Sequence, residues 1–349
     1  ARFEHVSAGL KDWRSFSSTS RPWHDPNSVR PELLLTDDPP KHTRVRAVIS
    51  RALSPAVLNR MAENFRTDAR AIVAQLRARE GETVDGVADI TQAFVYKVLP
   101  DLIGLPEEGR QHMSAFGNMV WATMGPMNAL FDEAMRDTSG EVITWAGACT
   151  KRGNLAPGSL GMAMYEAADA GDVTPQEAEL LVGILLSAAA DTTVITLANT
   201  LRAFSQFPDE FARVKADPSL VKAAFEESLR WDSPSRMAGR ITMRDIQVED
   251  YLIPQGTRCG LMFAAANRDP RRWQDPDRFD VKRPNAGHLG FGFGVHACVG
   301  RVLALLEAEA LLGAVAEAVE DIEAAGPVQP WMTTIGHGPA KLPLRLRFR

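Results

Sequence analysis

The chain has 349 residues, of which 45% are hydrophobic and 24% charged, and its formal net charge at pH 7 is −5. This length predicts a globular protein with a sizeable core, and the mild negative charge argues against general affinity for nucleic acid or anionic membranes. The scattered Cys149, Cys259 and Cys298 argue against a disulfide framework and fit a reducing cytoplasm. Since no linker-like tract or membrane-spanning apolar run is present, we predict one domain over residues 1–349.

Helical periodicity is the strongest secondary-structure signal. Ser54 and Pro55 are a cap and a helix-starting proline, and apolar residues recur at helical spacing from there to Leu76. We therefore predict one helix over residues 55–76. Further helices are predicted over residues 177–207, 220–231 and 302–320.

Strand signals are short and lie mostly near the end of the chain. They cover residues 240–243, 246–252, 258–263 and 342–348, with Pro254 and Gly256 as a turn between two of them. The predicted fold class is therefore mainly α with a minor β-sheet region.

Two of the predicted helices carry polar residues of types that take part in catalysis or in buried ion pairs. Within the apolar helix at 177–207, small residues including Ala188 precede Asp191 and Thr192, and a helical threonine can hydrogen-bond back to a carbonyl one turn earlier. In the helix at 220–231, Glu227 and Arg230 share one face at i, i+3 spacing. Taken alone, both patterns are common in ordinary helices.

The most informative segment is the glycine-rich run at 291–300, which delivers Cys298 to the start of a helix. Backbone N–H groups and the helix dipole at that position favour a thiolate over a thiol. Its glycines remove side chains from the backbone, as a large flat ligand lying against it requires. The alternative is a small buried cysteine beside a turn, the usual role of a lone cysteine.

The run Phe-Gly-Phe-Gly-Val-His-Ala-Cys-Val-Gly, from Phe291 to Gly300, resembles the haem-binding loop of the cytochrome P450 family. The resemblance implies the cytochrome P450 fold, haem b as cofactor and Cys298 as the axial ligand of the iron. A thiolate ligand favours O–O cleavage. Residues 2–6 resemble a family segment beyond its first helix and strands, so the usual N-terminal helix and first strands are expected to be absent.

The resemblance also implies which residues surround the haem. The desolvated propionates need cationic or donor partners. The family positions that correspond to propionate partners are His42, Arg46, Arg240 and His296. Phe291, Gly300 and Ala188 are expected to line the cofactor, and the Glu227–Arg230 pair, completed by Arg278, to form a buried network that fixes the cysteine loop.

The resemblance assigns Asp191 and Thr192 to oxygen activation, with Asp191 as a proton relay and Thr192 as the hydroxyl beside bound dioxygen. The usual glycine of this motif is Ala189 here. The product expected from a C–H bond is an alcohol, and an O-methyl group would be lost as formaldehyde.

Several stretches resemble a bacterial subgroup that acts on para-substituted benzoates, including residues 154–158, 207–213 and 266–273. In that subgroup an arginine and serines grip the carboxylate, and Arg14, Ser17 and Ser18 match them. A second Arg-Ser pair is Gly183-Ile184 here, with Arg236 as a speculative substitute. The expected pocket residues are Trp121, Met124, Ser235 and Ala238.

The function predicted from the sequence is a monooxygenase that hydroxylates or O-demethylates a small aromatic compound, possibly an aromatic acid. A 2Fe–2S ferredoxin and its reductase are the expected electron donors, and the protein is expected to be a cytoplasmic monomer. The alternatives are a peroxide-driven oxygenase and a haem-thiolate ligand-binding or sensor protein without turnover.

Overall fold

The computed structural model describes residues 2–19 and 33–349, and helices dominate it. The α-helices are α1 (Phe3–Lys11), α2 (Lys41–Ala52), α3 (Pro55–Leu58), α4 (Ala62–Arg77), α5 (Ala93–Ile103), α6 (Met113–Ala122), α7 (Ala129–Asp137), α8 (Gly140–Cys149), α9 (Leu160–Asp169), α10 (Pro175–Gln206), α11 (Pro208–Ala216), α12 (Val221–Trp231), α13 (Phe263–Ala266) and α14 (Arg301–Ala318). A π-helical segment, Gly86–Gln92, leads into α5. The mainly α prediction is confirmed.

The strands are short and antiparallel. They are β1 (Phe16–Ser17), β2 (Val84–Asp85), β3 (Ala238–Thr242), β4 (Ile246–Val248), β5 (Tyr251–Ile253), β6 (Arg258–Leu261), β7 (Val319–Ala324), β8 (Gln329–Met332), β9 (His337–Lys341) and β10 (Pro343–Phe348). Two three-stranded sheets have the orders β1–β3–β6 and β2–β10–β7, and β4–β5 and β8–β9 are hairpins. Because β1 pairs with β3, the start of the chain lies beside the strand that carries Arg240.

The helix α10 runs through the core. It begins with a capping box in which Thr174 and Glu177 bond each other's backbone N–H groups, and Pro175 occupies the first turn. By length and composition α10 could cross a membrane, but 67% of its most apolar 18-residue window is buried within the protein. That burial is typical of the central helix of a globular fold.

The single helix predicted over residues 55–76 is wrong, because the structure contains α3 and α4 with a tight turn between them. Met61 N–H bonds to Leu58 O at 2.9 Å, which is a three-residue step rather than the four-residue step of an α-helix. Leu58 and Phe65 are nevertheless both buried. The apolar spacing therefore reports which side faces the core, and it does not detect the turn.

Two predicted boundaries also differ. The strand predicted over residues 246–252 is the β4–β5 hairpin, which turns at Glu249, where φ is 50°. The last helix ends at Ala318, and Val319 already pairs with Phe348 of β10. Helical periodicity continues past the end of α14 because Val319 and Ile322 also face the core.

Candidate active site

The loop before α14 is shaped by glycine and by close packing. Gly292 and Gly294 have φ of 67° and 71°, a region that side chains rarely adopt. A Cβ at Gly294 would lie 2.4 Å from the carbonyl oxygen of Leu10, so α1 packs directly on the loop. Cys298 N–H donates to Phe291 O at 2.7 Å. The loop is thereby closed on itself, with Cys298 just before the helix.

The environment of Cys298 corrects the expectation that its position at a helix start is enough to favour a thiolate. Burial raises its pKa, while the N–H groups of Gly300 and Arg301 and the charge of Arg46 oppose that effect. The helix start therefore favours the thiolate, but burial outweighs it. A thiolate here depends on a further positive charge, which a coordinated metal ion supplies.

Protein surrounds the Cys298 sulfur closely enough for burial to raise its pKa, yet Cys298 still presents exposed surface at the end of a partly buried loop. Ala188 is exposed on a helix that is otherwise largely buried. Ala188 stands out because its neighbours along α10, Ser187 and Ala190, are buried. A Cβ at Gly300 would lie 3.7 Å from Cys298 Sγ, so the glycine adds no bulk beside the sulfur. The loop and the helix each leave a small side chain open, as a large flat ligand requires.

A cluster of buried donors lies next to the loop. The rings of His42 and His296 are 4.5 Å apart between centroids, and Arg46 donates to the carbonyl oxygen of Ala297. Arg240 is buried on β3, and its charge helps to lower the pKa of His296. The structure thus brings together all four residues that the sequence assigns to the propionates.

The electrostatics of this cluster suit an anionic ligand. Burial lowers the pKa of Arg240 to about 10, opposed only by Asp38, and burial followed by neighbouring cations lowers that of His296 to about 3. Both ring nitrogens of His42 are buried and lack a partner within the described chain. Buried cations and orphaned donors are costly, so the residues present fit the two carboxylates of haem b.

The acid and the alcohol of α10 have different surroundings. Thr192 Oγ1 donates to Ala188 O at 2.9 Å, which confirms the predicted back-bond along the helix. The Asp191 carboxyl is buried, and it accepts a hydrogen bond from Tyr96 Oη on α5 at 3.0 Å. Burial raises the pKa of Asp191 to about 7, and the Tyr96 bond acts in the opposite direction.

The buried ion network is present, but its third cation differs from the prediction. Glu227 and Arg230 are fully buried and doubly bonded, at 2.9 and 2.8 Å. Arg283 Nε donates to Glu227 at 3.0 Å, whereas the Arg278 side chain is 59% exposed and only its carbonyl oxygen joins the network. The assignment of Arg278 is therefore wrong, and Arg283 takes that role.

The network reaches the cysteine loop through Asn267. The carbonyl oxygen of Asn267 accepts a bond from Arg230, and its side-chain oxygen accepts from Leu289 N–H at 2.7 Å. Gly290 then packs on α12, where a Cβ would lie 2.8 Å from that of Leu229. The buried charges thus fix the start of the loop that carries Cys298.

Two of the residues predicted for the pocket, Trp121 and Ser235, contact the turn between β8 and β9. Thr334 Oγ1 donates to Trp121 O at 3.1 Å, and Ser235 pairs with Gly336. Trp121 is buried in an edge-to-face contact with Trp331, at 5.7 Å between ring centroids. Met124 is 37% exposed, and Ala238 is half-buried at the start of β3.

Arg14, Ser17 and Ser18 are placed differently from one another. Ser17 Oγ donates to Asp38 at 2.6 Å, and Ser18 Oγ lies 3.1 Å from His296 Nε2, so both serines adjoin the propionate cluster. Arg14 is exposed, with its guanidinium over the ring of Trp13. The described contacts therefore do not join the three into one clamp.

Sequence reasoning missed Tyr96, Gly117, Arg283 and Glu307. Tyr96 and Arg283 act through tertiary contacts that no local pattern reveals. Glu307 is fully buried on α14, and burial raises its pKa to about 8. A signal for it existed, since it stands among apolar residues on the inner side of the helix.

The accessible thiol at a helix start, the buried donor cluster and the acid–alcohol pair on the core helix fit a haem-thiolate site. A family model described as Cytochrome P450 matches residues 150–318. Cytochrome P450 CYP199A2 of Rhodopseudomonas palustris is 41% identical over 99% of this chain and 85% of its own length. The chain belongs to the cytochrome P450 family.

A second curated relative supports the family, and a solved structure supports the fold. The cytochrome P450 monooxygenase PikC of Streptomyces venezuelae is 31% identical over 89% of this chain and 74% of its own. A crystal structure of P450BioI in complex with a fatty-acid-ligated acyl carrier protein matches with a TM-score of 0.87 and 24% identity, covering 99% of this chain and 91% of that one. The protein is an oxidoreductase of the cytochrome P450 monooxygenase class, and its cofactor is haem b.

Proposed function

We propose that this monooxygenase hydroxylates or oxidatively O-demethylates a small aromatic substrate, with an aromatic acid as the first candidate. The observation that carries the proposal is the open surface at Cys298 and Ala188, with Thr192 one turn beyond Ala188. A ligand for the iron and an acid–alcohol pair are thereby presented on two separate rigid elements, as oxygen insertion requires.

Haem held by Cys298 supplies the redox chemistry that activates O₂. The chain's own residues hold and orient it, with the donor cluster at His42 and Arg240 on the propionates. Asp191 is the residue we assign to proton transfer, because a carboxyl with a pKa of about 7 both accepts and releases a proton near neutral pH. Thr192 would present its hydroxyl toward the oxygen.

The aromatic substrate is supported by the edge-to-face pair of Trp121 and Trp331, since aromatic walls favour flat apolar ligands. For a carboxylate, Arg236 is a poor partner because it already bonds Asp232 at 2.8 Å. Arg14 is the better candidate, although it must leave the ring of Trp13 to reach a ligand. The resemblance to the benzoate-oxidising subgroup favours the acid.

The first experiment is the carbon monoxide difference spectrum of the dithionite-reduced protein. We expect the long-wavelength band of thiolate ligation, and we expect it to be lost in Cys298→His. A wild-type band typical of neutral thiol or imidazole would contradict the assigned ligand.

The substrate proposal is tested by spin-state titration with 4-methoxybenzoate and its neutral analogue 4-methoxytoluene. We expect Arg14→Ala to raise the dissociation constant of the acid about tenfold or more, since a charge-assisted hydrogen bond is lost, and to leave the analogue nearly unchanged. Arg60→Ala, which changes an exposed arginine in the turn between α3 and α4, is the control. Equal effects of Arg14→Ala on both ligands would sink the aromatic-acid proposal.

We further propose that a 2Fe–2S ferredoxin and its reductase supply the electrons to a cytoplasmic, monomeric protein with one domain over residues 1–349. One apolar cluster that extends from Leu33 to Phe348 supports the single domain. On the cysteine side, Arg271 and Arg301 already pair with Asp269 and Glu226, so they offer less charge to an acidic donor than the sequence alone indicates.

A further inference from the structure

The carboxyl of Asp191 is enclosed by two helices other than its own. Tyr96 Oη on α5 donates to Oδ1 at 3.0 Å. On the other side, a Cβ added at Gly117 of α6 would lie 2.0 Å from Oδ2 and 2.9 Å from Cγ. The carboxyl thus occupies the space that any side chain at position 117 would need.

Gly117 stands in the middle of α6, where glycine is less favourable than alanine by about 0.5–1 kcal/mol. The close approach of Asp191 accounts for it, because no other residue leaves room. The interior of α6 thus contains a destabilising glycine because the Asp191 carboxyl occupies the space of a side chain.

The Asp191 carboxyl accepts one hydrogen bond, at Oδ1, although its second oxygen could also accept one. Its Oδ2 is buried and has no partner within the described residues, so the bond from Tyr96 is the sole protein contact assigned to its charge there. Burial also raises the pKa of Tyr96, so the phenol keeps its proton and stays a donor. Among the described residues, Tyr96 of α5 is the titratable group that acts on the Asp191 carboxyl, and Gly117 of α6 leaves space for it.

We propose that Tyr96 is the positioning residue for Asp191: its phenol fixes the orientation of the carboxyl and favours the charged form. This rests on the proton-transfer role proposed for Asp191. Gln92 and Ser114 lie beside the phenol and hold it in turn, since both lower the pKa of Tyr96. The residue that influences the protonation of Asp191 therefore lies on α5. This helix is not among the elements that present Cys298, Ala188 or the donor cluster.

The sign of the effect follows from the bond. A donor to a carboxylate stabilises the charged form, so losing it raises the pKa of Asp191. We expect Tyr96→Phe to move the titration midpoint upward by about one pH unit, the size of one hydrogen bond to a charged group. With turnover, the pH profile should move in the same direction, and product formed per O₂ consumed should fall several-fold.

The primary measurement needs no turnover. Infrared difference spectra of the ferric protein, recorded against pH, report the C=O stretch of a protonated buried carboxyl, and Asp191→Asn identifies the band. In Tyr96→Phe that band should persist to higher pH. In the double variant with Asp191→Asn, the effect of Tyr96→Phe on the product formed per O₂ consumed should vanish, which would show that the two residues are coupled.

Tyr165→Phe is the matched control, since Tyr165 Oη donates to Thr150 O at 2.9 Å in another part of the core. It should leave the Asp191 band unchanged. If Tyr96→Phe does not fold, Gly117→Ala tests the same carboxyl from the α6 side, because the new methyl group must displace Oδ2 and disturb the bond.

An Asp191 band that titrates identically in wild type and Tyr96→Phe would overturn the proposal. A shifted band with an unchanged pH profile of turnover would instead keep Tyr96 as the positioning residue and remove Asp191 from proton transfer. The two failures are therefore distinguishable.

Discussion

At the scale of single residues, burial is the largest influence on the charged groups of this site. It raises the pKa values of Cys298, Asp191 and Glu307 and lowers those of His296 and Arg240. In each case the neutral form is favoured until a partner of opposite charge arrives. For Cys298 and the donor cluster, we propose that this partner is the haem, whose iron and two carboxylates would supply the opposite charges.

Glu307 leads to a prediction about stability and pH. Its pKa is about 8 in the folded protein against an ordinary value of 4.5, so between these limits the folded state holds a proton that the unfolded chain releases. Stability therefore falls as the pH rises through this window, by at most about 1.4 kcal/mol per pH unit. We expect Glu307→Gln to lose less stability than wild type between pH 5 and 8, as measured by urea unfolding.

The control is Glu317→Gln, which changes an exposed glutamate on the same helix. Asp191 affects the pH dependence of the free energy of unfolding in the same way in both proteins, so the comparison with wild type isolates the effect of Glu307. A wild-type slope retained in Glu307→Gln would show that this carboxyl does not hold its proton.

At the scale of elements, helical spacing determines one part of the ion network and a tertiary contact determines the other. The i, i+3 spacing places Glu227 and Arg230 on one face of α12. Which further cation reaches Glu227 depends on how residues 275–283 fold back on that helix. Arg283 reaches it, with a side chain that is only 9% exposed, while Arg278 points to solvent.

This difference gives a direct comparison of two arginines. Removing one partner from a buried ion pair leaves an uncompensated charge, so Arg283→Ala should destabilise the protein by about 3 kcal/mol and reduce haem incorporation. Arg278→Ala should change stability by no more than about 0.5 kcal/mol. Thermal unfolding and the haem-to-protein absorbance ratio measure both effects. Equal losses in the two variants would contradict the network described here.

At the scale of the whole molecule, the haem site joins segments that are distant in sequence. His42 and Arg46 come from α2, Arg240 from β3 and His296 from the loop before α14. Burial, and then the charges of Arg240, His42 and Arg46, lower the pKa of His296. Asp38 partly offsets the effect of burial on the pKa of Arg240, and an anionic ligand would relieve the remaining repulsion. Haem bound as proposed would therefore link three parts of the fold as well as serve as a cofactor.

This linkage predicts the pattern of amide hydrogen exchange. Haem-loaded protein should be protected relative to haem-stripped protein in α2, β3 and the loop together, because a ligand stabilises the regions that it bridges. The sheet β2–β10–β7 serves as the internal reference. Protection confined to residues 291–300 would show that the donor cluster is not part of the cofactor site.

Motifs whose residues are close in sequence are predictable from the sequence alone, because their geometry is set within one or two helical turns. The loop at Cys298, the pair Asp191 and Thr192 and the pair Glu227 and Arg230 belong to this group. So does the central helix α10, whose apolar periodicity predicts its existence, although the predicted start at residue 177 lies inside the observed helix, which begins at Pro175. The break between α3 and α4 is not predictable in this way, because apolar spacing does not register a tight turn.

The sequence by itself determined the family and the fold class, and it predicts the thiol ligand and the four propionate partners, the last through resemblance and not through any rule of spacing. Only the tertiary structure decided that Arg283 completes the network, that Tyr96 and Gly117 enclose Asp191 and that Glu307 is fully buried. The physical reason is common to all of them. Each depends on the packing of helices or loops that are distant along the chain, and burial and charge are properties of that packing.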